Sequence, residues 1–159
     1  KGINRSPVSQ VKQKQTELQI TPMRRAIALL LQAPQLAQSI PFIPALAQAE
    51  LPGFNLFINI QQTILNEPDI KPHILLERYR ERKEYSFLAR LFAWEHHIAN
   101  ANLAGEFQDT FKKLQDSYLA KRLEQLEIKG KTGQLDKAER SEYMALLVAL
   151  KTVKPNQVE

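Results

Sequence analysis

The sequence contains no cysteine. Disulfides and thiolate metal sites are therefore excluded, and nothing points to an oxidising compartment. Long apolar runs are also missing. The longest stretch, Ala26 to Leu31, falls far short of the roughly 18 residues a membrane span needs, and no signal-peptide pattern is present. Histidine is sparse, with three in 159 residues. Strand signals are lacking as well: there is no alternating Val/Ile/Thr run and no Asn-Gly or Asp-Gly hairpin turn. What remains is 43% hydrophobic and 25% charged, which suits a soluble globular chain long enough to bury a sizeable core. A first residue of Lys rather than Met leads us to expect a piece of a longer protein, with the cytoplasm as the default location. The net charge of +5 and isoelectric point of about 9.5 invite acidic partners, either nucleic acid or an acidic protein tail.

Residues 1–19, KGINRSPVSQVKQKQTELQ, are Gln- and Lys-rich with few apolar side chains and read as an interdomain linker. At Thr21-Pro22 the pattern changes. Threonine suits an N-cap and proline the first helical position, and the helix is expected to run through Gln32 and stop before Ala33-Pro34. Met23, Ile27, Leu30 and Leu31 would form its apolar side. Short helices are expected over 34–39 and 44–50, then a turn at Leu51-Pro52-Gly53. Longer helices follow over 54–66, 72–82 and 86–97. Inward-facing residues would include Phe57 and Ile60 on the first of these, and Ile74, Leu75 and Tyr79 on the second. The fold class is all-α.

The last third behaves differently. No proline occurs between Leu103 and Pro155 and no glycine between Gly105 and Gly130, so one long helix is expected over 103–129. Leu103, Phe107, Phe111, Leu114 and Tyr118 form one apolar stripe; Leu119, Leu123 and Leu126 form a second, about 120° around the helix. One helix thus faces two partners. Gly130 to Gly133 interrupts it, Asp136 with Glu139 resembles a capping box, and Tyr143, Leu146, Leu147, Leu150 and Val153 continue at helical spacing. This αα-hairpin is a candidate docking element, unless it folds back on the bundle. We therefore divide the chain into a linker over 1–19, a compact helical bundle over 20–118 and a C-terminal hairpin over 119–159.

The chemical signals are weak. In the stretch Ala93-Trp94-Glu95-His96-His97-Ile98-Ala99, adjacent histidines on a helix would point about 100° apart and could not share one ion, whereas Trp94 and Ile98 would share a face. Lys129-Gly130-Lys131-Thr132 ends like a phosphate loop, but Gln125 stands where its first glycine belongs and the lead-in is helical. No serine elbow or other catalytic constellation is present; we expect no catalytic residue, metal or cofactor. Basic runs at Arg78, Arg80, Arg82 and Lys83, and at Lys112-Lys113 and Lys121-Arg122, carry no recognition-helix pattern. Arg24, beside apolar Met23 and Ile27, suits an acidic peptide tail.

Taken in order, Thr21-Pro22-Met23-Arg24, Gln32-Ala33-Pro34-Gln35-Leu36-Ala37, Leu51-Pro52-Gly53-Phe54-Asn55-Leu56-Phe57, Leu75-Leu76-Glu77-Arg78-Tyr79-Arg80, Trp94 with Ile98-Ala99, and the two last helices resemble the C-terminal helicase-binding domain of bacterial replicative DNA primases of the DnaG type. The resemblance covers about 20–153. It implies a helical bundle joined by a long helix to a hairpin that docks on the N-terminal domains of the replicative hexameric helicase, recruits primase to the replication fork and modulates helicase activity. It implies no catalysis in this region, since the zinc-binding and polymerase parts of such primases lie upstream. The implied helicase contacts are Tyr143, Leu146, Leu147, Leu150, Lys151 and Lys154. The implied pocket for the acidic C-terminal tail of single-stranded DNA-binding protein is Met23, Arg24 and Ile27. Little direct nucleic-acid binding is expected; a basic helical nucleic-acid-binding domain is the alternative.

Overall fold

The computed structural model describes residues 18–153, and the side-chain surroundings of all of these except Gln48 and 150–153. The linker expected over 1–19 lies almost wholly outside the described residues, as does Lys154. Among the described residues six α-helices and two 3-10 turns follow one another: α1 (Pro22–Gln32), turns at Pro34–Ser39 and Pro44–Gln48, α2 (Phe54–Asn66), α3 (Pro72–Glu77), α4 (Tyr85–Phe92), α5 (Asn100–Lys131) and α6 (Lys137–Val153). No strand occurs among the described residues.

Proline punctuates this order. Pro22, Pro34, Pro44 and Pro72 each open a helical element, where a missing N–H costs nothing and φ is already set. Thr21 caps α1, its Oγ1 accepting from the Arg24 amide at 3.2 Å. Gly53, at φ 94°, turns the chain into α2, and a Cβ there would meet the Met23 side chain, so both conformation and space select glycine.

Helix α1 is the axis of the bundle. Ala26 to Leu31 are all buried, because α2, α3, α4, α5 and the first 3-10 turn surround the helix. A helix apolar on every side is one that is enclosed. The first stripe of α5 closes the bundle: Leu103, Phe107, Phe111 and Leu114 are buried, and Phe57 lies 6.0 Å from Phe111 and 6.4 Å from Phe107, ring centre to ring centre. The second stripe leaves the bundle. Leu126 is buried, as is Leu146 of α6, yet neither belongs to the large apolar cluster that unites the bundle.

Three helices end earlier than expected. The helix expected over 72–82 ends at Glu77 and continues as turns; Tyr79 is still buried, whereas Ile74 is 42% exposed. The second short helix ends at Gln48 rather than at 50. The helix expected over 86–97 ends at Phe92, and Trp94 to Ala99 is irregular, with His97 left-handed at φ 54°. The cause is tertiary: the Gln32 amide donates to the carbonyl oxygens of Leu91 at 3.1 Å and Trp94 at 2.7 Å, ending α4 from outside. His96 Nδ1 accepts from the Ile98 amide at 2.9 Å. Trp94 and Ile98 still pack on the core, but not as helical neighbours.

Candidate protein-interaction site

The C-terminal hairpin forms because α5 stops cleanly and α6 starts cleanly. Gly133, at φ 70°, reverses the chain, its amide donating to the Gly130 carbonyl at 3.1 Å. Leu135 folds over Gly130, where an added Cβ would crowd the Leu135 methyl. Asp136 then accepts from the Glu139 amide at 2.7 Å, the N-cap half of the expected capping box. That bond holds the Asp136 carboxyl below its usual range. The reciprocal half is absent. The Glu139 carboxylate instead accepts from Lys129 Nζ at 2.7 Å, across the hairpin. Twenty residues apart, Arg122 and Glu142 form a two-pronged ion pair at 2.8 and 3.0 Å. The pairing pulls the Glu142 carboxyl below its ordinary value and raises the Arg122 guanidinium.

Along α6 the predicted contact residues divide. Leu146 is buried at 8% exposure, inside the hairpin. Tyr143 and Leu147 are half-buried, and Tyr143 borders a cleft with Leu126, Gly130 and Leu135. Leu150 and Lys151 lie where the backbone is helical but the side-chain surroundings are outside the described residues, and Lys154 lies outside them altogether. Two residues that periodicity did not single out are the exposed ones: Met144 at 60% and Val148 at 61%. They are one helical turn apart and form an outward apolar step. The signal that could have found them is the breadth of apolar sequence from Tyr143 to Leu147, wider than one partner helix can cover.

The second predicted set lies on α1. Ile27 is closed inside the core at 1% exposure. Met23 is half-buried against Gly53. Arg24 stays near the surface, its Nη1 donating to the Gln19 carbonyl at 2.8 Å and its guanidinium 5.5 Å from the Phe87 ring centre. Of the basic run on α3 and the turns after it, Arg78 pairs with Glu67 and Arg80 with Glu77. No group of three or more His, Asp or Glu that could hold a metal occurs among the described residues, and no helix among them is long and apolar enough to cross a membrane.

Fold and site together define an all-helical domain whose distinguishing surface is an apolar, charge-laced hairpin at the end of a long helix. Comparison with known proteins makes this particular. The family model described as "DNA primase DnaG DnaB-binding" matches residues 23–146. The chain is 36% identical over 146 residues to the DNA primase of Escherichia coli (strain K12), covering 91% of this chain and 24% of that one. It is 29% identical over 128 residues to the DNA primase of Pasteurella multocida, covering 80% and 22%. A solved structure of the DnaG primase C-terminal domain from Vibrio cholerae superposes with a TM-score of 0.72 at 31% identity, covering 80% of this chain and 96% of that one. The chain belongs to the DnaB-binding family of DNA primase DnaG, and spans about a quarter of the length of the curated primases it matches.

Proposed function

We propose that this chain is a non-catalytic interaction domain that docks on the N-terminal domains of the replicative hexameric helicase DnaB, recruiting primase to the fork and modulating the helicase. The observation that carries the reading is the exposed Met144–Val148 step on α6, within a chain whose family is defined by DnaB binding. A helix that packs on one neighbour and leaves its other side apolar offers the groove-filling face that helical recognition uses. We assign the docking surface to the hairpin over 119–159, with the bundle over 20–118 as its base. Met144 and Val148 are the central anchors, Tyr143 and Leu147 flank them, and Leu146 supports them from within. Leu150, Lys151 and Lys154, whose side chains lie outside those the structure describes, are kept as proposed helicase contacts, with the lysines steering toward an acidic partner.

A second site, for the acidic C-terminal tail of single-stranded DNA-binding protein, is assigned to Arg24 and Met23 with Ile27 beneath them. It is favoured by the Arg24 guanidinium held beside Phe87 at the surface. The cytoplasm is the compartment this reading requires, and direct nucleic-acid binding has no part in it.

The test is calorimetric titration of the chain into the intact hexameric helicase. Binding should be seen with the native chain and weakened about 100-fold or more by Met144→Asp with Val148→Asp, since two charges would be desolvated at the centre of an interface. Undiminished binding by that variant, or no binding by the native chain, contradicts the reading.

A further inference from the structure

The hairpin raises a question of aim. Helix α6 packs on α5 and not on the bundle core. Between the hairpin and the bundle lies a cleft of about 320 Å³, bordered by Ala49, Leu51, Tyr118, Gln125 and Glu142. A hydrogen bond of 2.7 Å from Gln125 Nε2 to Glu50 crosses that region. The apolar seam is small: among the described residues of the hairpin, Leu126 and Leu146 are buried. Burying leucines favours contact but not a particular rotation, because apolar burial is non-directional. Something else must fix how α6 is turned about its own axis.

The polar seam supplies direction. Arg122 and Lys129 stand seven residues apart on α5, two turns along one face, and Leu126 lies between them. Glu142 and Glu139 stand three apart on α6 and meet them in antiparallel order. The Arg122–Glu142 pair is a planar fork on a planar carboxylate, with both prongs made, which fixes orientation as well as distance. Turning α6 by one residue, about 100°, would separate both ion pairs. In the observed setting Met144, two residues past Glu142, lies about 200° around the helix from it and so faces away from α5, as does Val148 relative to Leu146.

We propose that Arg122 and Glu142 are positioning residues for helicase docking, holding α6 in the rotation that aims Met144 and Val148 outward. The proposal rests on the docking function given above. Neither residue touches the partner; the pair acts through the two side chains it aims. Lys129–Glu139 holds the same rotation one turn nearer the hairpin bend.

The experiment uses the full chain with Arg122→Glu, with Glu142→Arg, and with both, each titrated into the intact hexameric helicase while far-UV circular dichroism reports helix content. Each single reversal places like charges in contact and should weaken binding about fivefold or more, with helix content unchanged. The double reversal rebuilds the pair with opposite polarity and should return affinity to within about twofold of native. Single variants that bind as the native chain does overturn the proposal. So does a double variant that stays weak, since the side chains would then act by direct contact. Affinity that falls only in step with lost helix content overturns it too, because the pair would then hold the fold rather than the aim. Failure of the native chain to bind instead overturns the docking function, and this proposal with it.

Discussion

Ile27 stands four residues after Met23 and three after Arg24, and helical spacing alone places all three on one side of α1. The structure gives them different surroundings: Ile27 is core, Met23 is wedged against Gly53, and Arg24 lies over Phe87. The signal that Ile27 is core was in the sequence. Ala26 to Leu31 has no polar residue, so no side of that turn could face water, and a segment apolar on every side must be enclosed. Which residues enclose it was not legible, because the α2, α4 and α5 partners lie tens of residues away. Ile27→Ala is accordingly expected to destabilise the chain by about 2–4 kcal/mol, the range for a deleted core side chain, measured by urea unfolding. A loss below about 1 kcal/mol would place Ile27 outside the core. At the same scale, Met144 and Val148 escaped notice because a stripe argument credits the side that packs. Exposure is what packing leaves over.

At the scale of elements, proline and glycine made most boundaries readable: α2 and the first 3-10 turn fall where expected, and α5 extends only slightly beyond. The end of α4 could not be read. Its stop signal is Gln32, about sixty residues earlier in the chain, whose amide takes the Leu91 and Trp94 carbonyls. In Ala93 to Ala99 the histidines serve local geometry, one accepting a backbone amide and one adopting the left-handed turn. The start of α6 was legible, because Asp136 and Glu139 have capping spacing, although Glu139 turned out to serve Lys129. Removing the cap with Asp136→Ala should lower the melting midpoint of the hairpin by roughly 2–4 °C and leave the bundle unaffected. The acid response follows from the same groups. Asp136 and Glu142 both titrate below their ordinary range in the folded chain. Their stabilisation is complete above the unfolded carboxyl value and is lost as pH falls from there through the lowered folded values. Circular dichroism of the native chain on acidification should therefore show helix loss beginning in the hairpin, and Asp136→Ala should shrink the acid-sensitive part. An unchanged acid transition would show that the cap contributes nothing.

For the molecule as a whole, one long helix serves two apolar surroundings: the large cluster that the bundle closes, and, outside it, the hairpin, where Leu126 and Leu146 are each buried. The two stripes of α5, offset around the helix, carry the expectation that the helix faces two partners. The stripes could not show that the hairpin leaves a cleft against the bundle rather than folding into it, because a stripe says that a partner exists, not which one. The central claim is that the partner for the free side of α6 is the helicase. It is tested most directly by labelling the chain with ¹⁵N and recording backbone amide resonances with and without the unlabelled helicase N-terminal domain. The account predicts that shifts and line broadening concentrate on the amides from Asp136 to Val153 and the facing turns of α5, with α1 to α4 little changed. Perturbations confined to α1 to α4, with α6 silent, would contradict it.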